Sequence, residues 1–386
     1  MTERTAIYLT SKAKTGYLEN GEWDFHDEDT QQHLHALHPY PARFIPQIPR
    51  KAISIWSQPG DLVLDPFCGC GTTMLESILL GRPTIGVDNN PVAILVSQAK
   101  TVHYSFEDLG ILEKFVKELD CSLSSHMEFT ALIPEYENIR YWFCDESIND
   151  LARLRAAINR LPEKPRLLTL AVFSSIIVRV SNQDSDTRYT RIEKTYHLGN
   201  ATEWFKVRLI DVIERLKLII ELPKATATIY CADSRNLGFI PDGSINLIVT
   251  SPPYINAYDY HKYHRHRIQW IGGDVSFARD NEIGKHDTFT RPNATPARYF
   301  DDMQKCFKEW KRVLIPGGHA FIVIGDGIVS GKPVPVGDKF IELCEDIGLK
   351  FSKRWIRSLQ KNKKSFNQHA RIDKEHLLLL EKVGEG

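Results

Sequence analysis

Residues 245–254 read Ile-Asn-Leu-Ile-Val-Thr-Ser-Pro-Pro-Tyr. The apolar run Ile245–Val249 predicts a buried strand that stops at two prolines, because proline cannot donate to a sheet ladder and fixes its own φ. Ser251 and Tyr254 are therefore expected on a rigid loop at the carboxyl end of a strand, where open α/β sheets bind their ligands. Outward-facing carbonyls beside an aromatic ring suit a planar ring that carries an amino group. Taken alone, the same residues also fit a strand that ends in a Pro-Pro turn with a packing tyrosine.

The overall composition limits the class of protein. With 386 residues, the chain is long enough for one domain with a large insertion. Lys plus Arg and Asp plus Glu both number 49, so a nucleic-acid partner would be held by local basic patches and not by overall charge. Seven irregularly spaced cysteines argue for a reducing compartment, and Cys68 and Cys70 are too close together for a zinc-ribbon pattern. The polar start of the chain lacks the apolar core of a signal peptide, and the apolar run 167–180 is too short to span a bilayer. We expect a cytoplasmic protein without a metal site or a membrane partner.

A second motif lies about 180 residues earlier and also follows a predicted strand. Residues 61–65 form a short buried strand, residues 66–73 read Pro-Phe-Cys-Gly-Cys-Gly-Thr-Thr, and a helix follows. Glycines in such a loop let a ligand approach the backbone. The next strand, Pro83–Val87, ends at Asp88, where a carboxylate can accept hydrogen bonds from a ribose diol. The loop lacks the third glycine of the dinucleotide fingerprint and no lysine follows it, which disfavours NAD, FAD and a phosphate loop.

Residues 105–225 interrupt the α/β pattern. Apolar residues at helical spacing predict four helices there. These helices are predicted at residues 107–122, 147–161, 165–181 and 201–221. The polar segment 181–200, which holds Arg188 and Arg191, is predicted to be a loop. Because a loop of this length is uncommon inside a compact domain, a function for it is as reasonable as a solvated surface.

The α/β pattern resumes with a strand over residues 228–233, which ends at Asp233, and then reaches the strand before Ser251. Residues 256–267 are dense in aromatic and cationic side chains, and residues 272–295 are predicted to be a loop. The remaining elements are a helix at 296–314, a strand at 320–324, a helix at 338–347, and strands at 349–357 and 375–381. The last two strands are predicted to form a hairpin that closes the sheet, and between them residues 350–371 hold eight Lys or Arg and no acid.

Together these residues resemble the S-adenosyl-L-methionine-dependent amino-methyltransferases of DNA, in the cytosine-N4-specific form. Residues 65–73 match the cofactor motif Asp-Pro-Phe-x-Gly-x-Gly-Thr-Thr of that family, and residues 250–254 match its catalytic motif in the form with serine first. Residues 38–44 resemble the proline-rich segment that closes over the methionine end of the cofactor. The resemblance covers about 38–100 and 228–383.

The resemblance implies an α/β fold, a Rossmann-like class I methyltransferase sheet that is mostly parallel, with a C-terminal antiparallel hairpin and a helical insertion. It divides the chain into three parts. Residues 1–104 hold an N-terminal segment and the first half of the methyltransferase domain, residues 105–225 are the insertion and a candidate DNA-recognition region, and residues 226–386 hold the second half with the catalytic motif.

The resemblance also assigns site residues. S-adenosyl-L-methionine is the implied cofactor, with Asp88 on its ribose hydroxyls and Asp233 on its adenine amino group. A cap or turn after the strand is the alternative for Asp233. The implied cofactor-binding residues are Tyr40, Asp65, Phe67, Gly69, Gly71, Thr72, Asp88, Asn89 and Asp233. The implied catalytic residues are Ser251, Pro252, Pro253 and Tyr254.

The implied reaction is a direct methyl transfer to an amine whose lone pair is delocalised into its ring. Ser251 and the carbonyl of Pro252 would accept hydrogen bonds from the amino group and orient its lone pair toward the methyl. Tyr254 would stack on the base, which must leave the duplex to reach the pocket. Methylation at carbon 5 needs a cysteine nucleophile, and none lies in this motif. Serine in the first position goes with cytosine N4, whereas asparagine or aspartate goes mostly with adenine.

Three alternatives stay open: an adenine-N6 enzyme, an RNA-base methyltransferase, and a DNA-binding protein with an inactive methyltransferase fold. The expected partner is double-stranded DNA with a flipped target base, in a restriction–modification system whose endonuclease acts separately. Arg188 and Arg191 are expected to read base edges in the major groove. The expected phosphate contacts are Lys262, Arg265, Arg267, Lys361, Lys363 and Lys364. A solvated hairpin loop is the alternative for residues 350–371.

Overall fold

The computed structural model of the protein describes residues 22–124, 130–222, 224–291, 293–359 and 374–384. In chain order, the strands are β1 (Val63–Asp65), β2 (Thr84–Asp88), β3 (Gln183–Ser185), β4 (Arg188–Arg191), β5 (Ala227–Cys231), β6 (Ile245–Thr250), β7 (Leu314–Gly325), β8 (Gly327–Val329), β9 (Lys332–Val334), β10 (Leu349–Ser358) and β11 (Lys374–Lys382).

Seven of these strands form the central sheet, in the order β10-β11-β7-β6-β1-β2-β5. Strands β7, β6, β1, β2 and β5 are parallel to their neighbours in that series, and β11 lies antiparallel between β7 and β10. The chain runs outward from β1 in one direction and from β6 in the other, so the switch point lies between these two strands, where open sheets bind ligands. The predicted mostly parallel sheet with a C-terminal antiparallel hairpin is confirmed.

The helices are α1 (Gln47–Trp56), α2 (Thr72–Leu79), α3 (Pro91–Thr101), α4 (Phe106–Ser124), α5 (Ile139–Trp142), α6 (Asp145–Ile158), α7 (Glu163–Ile176), α8 (Asn200–Lys217), α9 (Tyr260–Tyr263), α10 (Arg265–Ile271), α11 (Val275–Asn281), α12 (His286–Phe289), α13 (Ala297–Val313) and α14 (Val336–Asp346). None of the helices in the described ranges is long and apolar enough to cross a bilayer.

Both faces of the sheet are covered, as the alternation of side chains along β11 shows. Leu378 and Leu380 pack into one core with residues of α13 and α14, whereas Leu377 and Leu379 pack into another with residues of α1. Successive residues of a strand point to opposite faces, so a run of leucines with no polar interruption can satisfy two apolar layers at once. The sheet is therefore the middle layer of three.

The insertion forms its own helical layer beside the sheet. Apolar residues of α4, α6, α7 and α8 share one core with residues of α2 and α3. The four helices predicted in this region are confirmed, with their ends shifted by a few residues. Burial of the apolar stripes of several neighbouring helices in one core explains why periodicity located these helices.

Two predicted loops are wrong. The segment 181–200 contains the hairpin β3–β4, in which Gln183 pairs with Arg191. Apolar and polar side chains do not alternate along its two strands. The pattern that predicts a half-buried strand is therefore absent from the sequence. The segment 272–295 contains α11 and α12, and α11 begins after Asp274, whose side chain accepts hydrogen bonds from the backbone of Ser276 and Phe277. That aspartate is a typical helix cap, and it was the available sequence evidence for α11.

Candidate active site

A cleft opens at the carboxyl ends of β1, β2, β5 and β6. Its empty volume is about 820 Å³ including the open mouth, which is within the size range of small-molecule sites. Nine of the predicted site residues line it. These are Tyr40, Phe67, Gly69, Thr72, Asp88, Asn89, Asp233, Ser251 and Pro253. The structure thus brings residues from both motifs, which lie about 180 residues apart in the chain, to one concave surface.

Asp88 ends β2 and holds the glycine loop. Its Oδ2 accepts a hydrogen bond from the backbone nitrogen of Gly69 at 2.9 Å, and its Oδ1 accepts one from the backbone nitrogen of Asn90 at 2.9 Å. Burial raises the pKa of Asp88 to about 6, although these two hydrogen bonds favour the carboxylate. The side chain therefore fixes the loop and still presents acceptor capacity to the cleft.

Asp65 is not among the described residues that line the cleft, which corrects its predicted cofactor contact. The carboxylate is 1% exposed and accepts hydrogen bonds from the Thr250 hydroxyl at 2.7 Å and the Phe67 backbone nitrogen at 3.1 Å. Burial raises the pKa of Asp65 to about 6. Asp65 thus connects the end of β1 to the end of β6, and through these hydrogen bonds it links the cofactor motif to the catalytic motif.

Gly71 is also not among the described residues that line the cleft. Glycine is required at this position because two helices pack closely there. Its φ is +77°, and a Cβ there would lie 2.8 Å from the Cβ of Ser97. The glycine therefore allows the first turn of α2 to approach α3 closely. Gly69, by contrast, lines the cleft, and a Cβ there would meet the ring of Tyr40 at 3.5 Å.

The predicted covering segment lies on the cleft, since residues 40–44 all line it. The ring of Tyr40 stacks on His264, with centroids 4.8 Å apart, and lies near Tyr260. Tyr260 and Glu282 line the cleft from the region after the catalytic motif, and sequence reasoning missed both. Glu282 accepts a hydrogen bond from the backbone nitrogen of Tyr260 at 2.7 Å. The aromatic density of residues 256–267 was visible in the sequence, but nothing there marked Glu282 as its partner.

Asp233 lines the cleft and is held by an arginine that the sequence analysis overlooked. Arg235 donates to Asp233 through Nη2 at 2.7 Å and Nε at 2.9 Å, and it also reaches Asp302 at 3.0 Å. The carboxylate of Asp233 is therefore fixed in position. Each oxygen of a carboxylate has more than one acceptor site, so this pairing leaves capacity for a ligand amine.

Only some residues of the catalytic motif line the cleft. Ser251 and Pro253 line the cleft, whereas Pro252 and Tyr254 are not among its described lining residues. The carbonyl of Pro253 accepts a hydrogen bond from the Tyr299 hydroxyl at 2.9 Å. The Tyr254 hydroxyl donates to Glu375 at 2.9 Å, which anchors the far end of the motif in β11.

Arg267 does not fit its predicted phosphate contact. Its side chain is 0% exposed, its Nε donates to the Ser174 carbonyl at 3.0 Å, and its guanidinium pairs with Asp186 in the turn of the hairpin β3–β4. A buried, paired arginine cannot reach DNA, and this prediction is wrong. Arg267 instead fastens the hairpin to α7. Lys262 is partly exposed but already paired with Asp259 and Asp287.

The remaining residues that were predicted to contact DNA lie in different parts of the chain, and some of them lie outside the described residues. Arg188 is exposed and pairs with Asp184 at 3.3 Å, while the guanidinium of Arg191 lies 4.8 Å from the ring centroid of Tyr141. Arg265 is partly exposed and lies near Tyr189 in β4. Lys361, Lys363 and Lys364 lie outside the described residues. The strand ends on either side of them are at the carboxyl edge of the sheet, since Glu375 pairs with Gly325 at the end of β7.

The hairpin β3–β4 lies near the wall of the cleft. Gln183 donates from Nε2 to the Tyr263 carbonyl at 3.4 Å, and the next residue, His264, stacks on Tyr40. A chain of direct contacts therefore connects the hairpin to the covering segment over the cleft.

Comparison with known proteins identifies the family of the chain. The N6/N4 DNA methylase family model matches residues 4–99 and 245–386. Type II methyltransferase M.MvaI of Kocuria varians is 23% identical over 391 residues, which cover 85% of this chain and 85% of that protein. Type II methyltransferase M.MjaII of Methanocaldococcus jannaschii is 21% identical and covers 79% of this chain and 75% of that protein. A solved S-adenosyl-L-methionine-dependent methyltransferase from Methanosarcina mazei aligns with a TM-score of 0.35 at 11% identity, over 86% of this chain and 98% of that chain.

The family match spans both sequence motifs and more than half of the chain, and it leaves out residues 100–244, which contain the whole helical insertion. The expectation of an amino-methyltransferase that uses S-adenosyl-L-methionine is confirmed by this match. The protein belongs to the N6/N4 DNA methylase family.

Proposed function

We propose that the protein methylates the exocyclic N4 amine of cytosine at specific sites in duplex DNA, as the modification enzyme of a restriction–modification system. The observation that carries the proposal is that Ser251, the first residue of the catalytic motif, shares one cleft with Asp88 and Asp233. The names of the Type II relatives support the biological setting. Adenine N6 is the alternative acceptor, because adenine also presents an amine next to a ring nitrogen.

The residues around the cleft fit S-adenosyl-L-methionine. Asp88 has acceptor capacity for the ribose hydroxyls, and Asp233, held by Arg235, has it for the adenine amine. Gly69 leaves room for close approach to the backbone, and the covering segment 40–44 would enclose the methionine end. When bound there, the cofactor supplies an electrophilic methyl group.

The catalytic motif would act on the amine by orientation. The Ser251 hydroxyl and the Pro252 carbonyl accept hydrogen bonds from the amino hydrogens, which draws the nitrogen lone pair out of conjugation with the ring. Rigid prolines hold both acceptors in place, so little reorganisation is needed at the moment of transfer. The flipped base would lie against Tyr254.

Asp88→Ala is expected to weaken S-adenosyl-L-methionine binding by ~1–3 kcal/mol, the scale of a lost charge-assisted hydrogen bond. Because burial raises the pKa of Asp88 to about 6, the wild-type affinity should fall as the pH is lowered through that value and the carboxylate takes up a proton. Calorimetry from pH 5 to 8 measures both effects. Asp301→Ala, an exposed aspartate on α13, serves as the control. Unchanged affinity in a folded Asp88 variant would remove Asp88 from the cofactor site.

The hairpin β3–β4 is proposed to read the target sequence. Arg188 is exposed on it, and Arg191 lies beside the exposed ring of Tyr141. We expect Arg188→Ala or Arg191→Ala to relax or abolish sequence choice while cofactor affinity stays intact, because arginine discriminates guanine edges by about 1–3 kcal/mol per contact. Methylation of a plasmid library, read by sequencing, measures the choice.

The control for this experiment is Arg160→Ala. Arg160 is exposed just beyond the far end of α6, whereas the first turn of α6 contacts the segment before the hairpin through Ser147 and the Val180 carbonyl. If both hairpin variants methylate the same DNA sites as the wild type, the residues that recognise the target sequence lie elsewhere. Residues 272–295 would then be the next region to test.

The proposed function as a whole is tested by long-read sequencing of DNA from cells that express the protein. We expect a modified cytosine at one recurrent short sequence, which also reveals the recognition site. Cells that express Asp88→Ala should show weaker modification at the same sequence. Modified adenine at a recurrent sequence would favour the alternative acceptor, and unmodified DNA with RNA methylation would favour an RNA-base enzyme.

A further inference from the structure

A helix of the insertion binds the part of the chain that precedes the covering segment 40–44. This anchor segment, residues 31–37, ends two residues before the covering segment begins. Arg208 on α8 donates from Nη2 to the carbonyl of Ala36 at 2.7 Å and to the carbonyl of Leu37 at 3.3 Å. The insertion therefore holds the end of the anchor segment that lies next to the cover of the cleft.

A second arginine of α8 holds the other end of the anchor segment. Arg215 donates from Nη1 to the carbonyls of Gln31 at 2.6 Å and His33 at 3.4 Å. Asp211 accepts a hydrogen bond from Arg208 at 3.2 Å and another from Arg215 at 2.9 Å. Spacings of three and four residues put these three side chains on one face of α8, so Asp211 holds both guanidinium groups in place.

The anchor segment is itself bonded to the covering segment. The guanidinium of Arg43, a residue that lines the cleft, donates to the carbonyl of His35. The backbone nitrogen of Tyr40 donates to the carbonyl of His38 at 2.9 Å, and Leu37 is fully buried in the core that it shares with α8. A displacement of the anchor segment would therefore also move residues that line the cleft.

The two arginines supply donors that the backbone of the anchor segment needs. Backbone carbonyls that are removed from water require a donor from the protein. If the donors from α8 are lost, the carbonyls can regain hydrogen bonds only from water, and an anchor segment that has moved away from α8 becomes more favourable.

We propose that Arg208 and Arg215 are positioning residues that hold the covering segment closed over the methionine end of S-adenosyl-L-methionine. This inference rests on the proposed cofactor site, in which the covering segment encloses that end. It gives the insertion, which the family match leaves out, a role in cofactor binding that is separate from its proposed reading of DNA.

The binding of two ligands to the whole protein, measured by calorimetry without DNA, tests the inference. S-adenosyl-L-homocysteine keeps the amino-acid end of the cofactor, whereas methylthioadenosine carries only a methyl group in its place. For Arg208→Ala we expect the Kd of S-adenosyl-L-homocysteine to rise roughly 10-fold, because a segment that is closed in only about a tenth of the molecules lowers the affinity by that factor. The Kd of methylthioadenosine should stay unchanged, since this ligand lacks the group that the segment covers.

Lys217→Ala is the matched control. Lys217 is a cationic residue of the same helix, but its ammonium group pairs with Glu113 on α4 and with Glu214, at 2.8 Å each. Both ligands should bind this variant as they bind the wild type.

An unchanged Kd of S-adenosyl-L-homocysteine in Arg208→Ala would overturn the inference. Equal weakening of both ligands would also overturn it, because that result would show a general loss of structure. Should Arg208→Ala fail to fold, Arg215→Ala enters the same comparison, and the same difference between the two ligands is expected.

The outcome is distinguishable from a failure of the proposed function. A methyladenine or RNA product would contradict the proposed function without affecting either Kd, because the binding assay contains no DNA. A wild-type protein that binds neither ligand would overturn the proposed cofactor site, and this inference with it.

Discussion

Ser251→Ala is expected to lower the rate of methyl transfer to DNA by about 10²–10³-fold, the usual cost of losing one preorganised polar contact at a reacting centre. Ser251 lines the cleft at the end of β6, and its hydroxyl is the proposed side-chain acceptor for the amine. Cofactor affinity should stay close to wild type, because the proposed cofactor contacts come from β2, the glycine loop and Asp233. Single-turnover transfer of a labelled methyl group measures the rate, and calorimetry measures the affinity.

The matched control for this variant is Ser244→Ala. Ser244 precedes the opposite end of β6, and its hydroxyl donates to the Pro241 carbonyl in a turn. Its loss should leave the transfer rate unchanged. A Ser251→Ala enzyme that keeps the wild-type rate would remove Ser251 from the catalytic site, even though it lines the cleft.

Arg267→Ala is expected to destabilise the protein by about 2–5 kcal/mol, the range for truncating a large buried side chain. The substitution leaves a cavity and deprives the Ser174 carbonyl and Asp186 of their donor. Because Arg267 fastens the hairpin β3–β4 to α7, sequence choice should also weaken. Urea denaturation measures the free energy of unfolding, and methylation of the plasmid library measures which DNA sequences the variant modifies.

Arg265→Ala tests the other interpretation of this basic segment. Arg265 is partly exposed, so its truncation should cost no more than about 1 kcal/mol. If Arg267 instead contacted phosphates, its alanine variant would keep full stability, and DNA binding would weaken with a flatter dependence on salt. That outcome would contradict the buried position of the side chain.

The fold was predictable because its elements carry strong local patterns. The apolar run before Ser251 and the strand that ends at Asp88 identified two strands of one parallel sheet, which lie on either side of β1. The helices of the insertion followed from apolar residues at helical spacing, which their shared core explains. The exposed polar hairpin β3–β4 has no such pattern, because it is held by side chains from distant parts of the chain, including Arg267.

The site was predictable where a residue belongs to a contiguous motif or ends a predicted strand. Gly69 and Ser251 belong to such motifs, Asp88 ends a strand, and the structure places all three on one cleft. Arg235, Glu282 and Glu375 were missed, since each acts through a partner that only the tertiary fold brings close. Asp65 and Gly71 show the converse, because both lie in the cofactor motif and yet support the backbone behind the cleft.

The central claim is that the protein transfers a methyl group to the N4 amine of cytosine in duplex DNA. The most direct measurement incubates the purified protein with plasmid DNA and S-adenosyl-L-methionine that carries a deuterated methyl group, digests the DNA to nucleosides, and separates them by mass. We predict the label on deoxycytidine at N4, and much less label after the same incubation time when Ser251→Ala replaces the wild type. Label found only on deoxyadenosine would contradict the choice of base, and unlabelled DNA would contradict the activity itself.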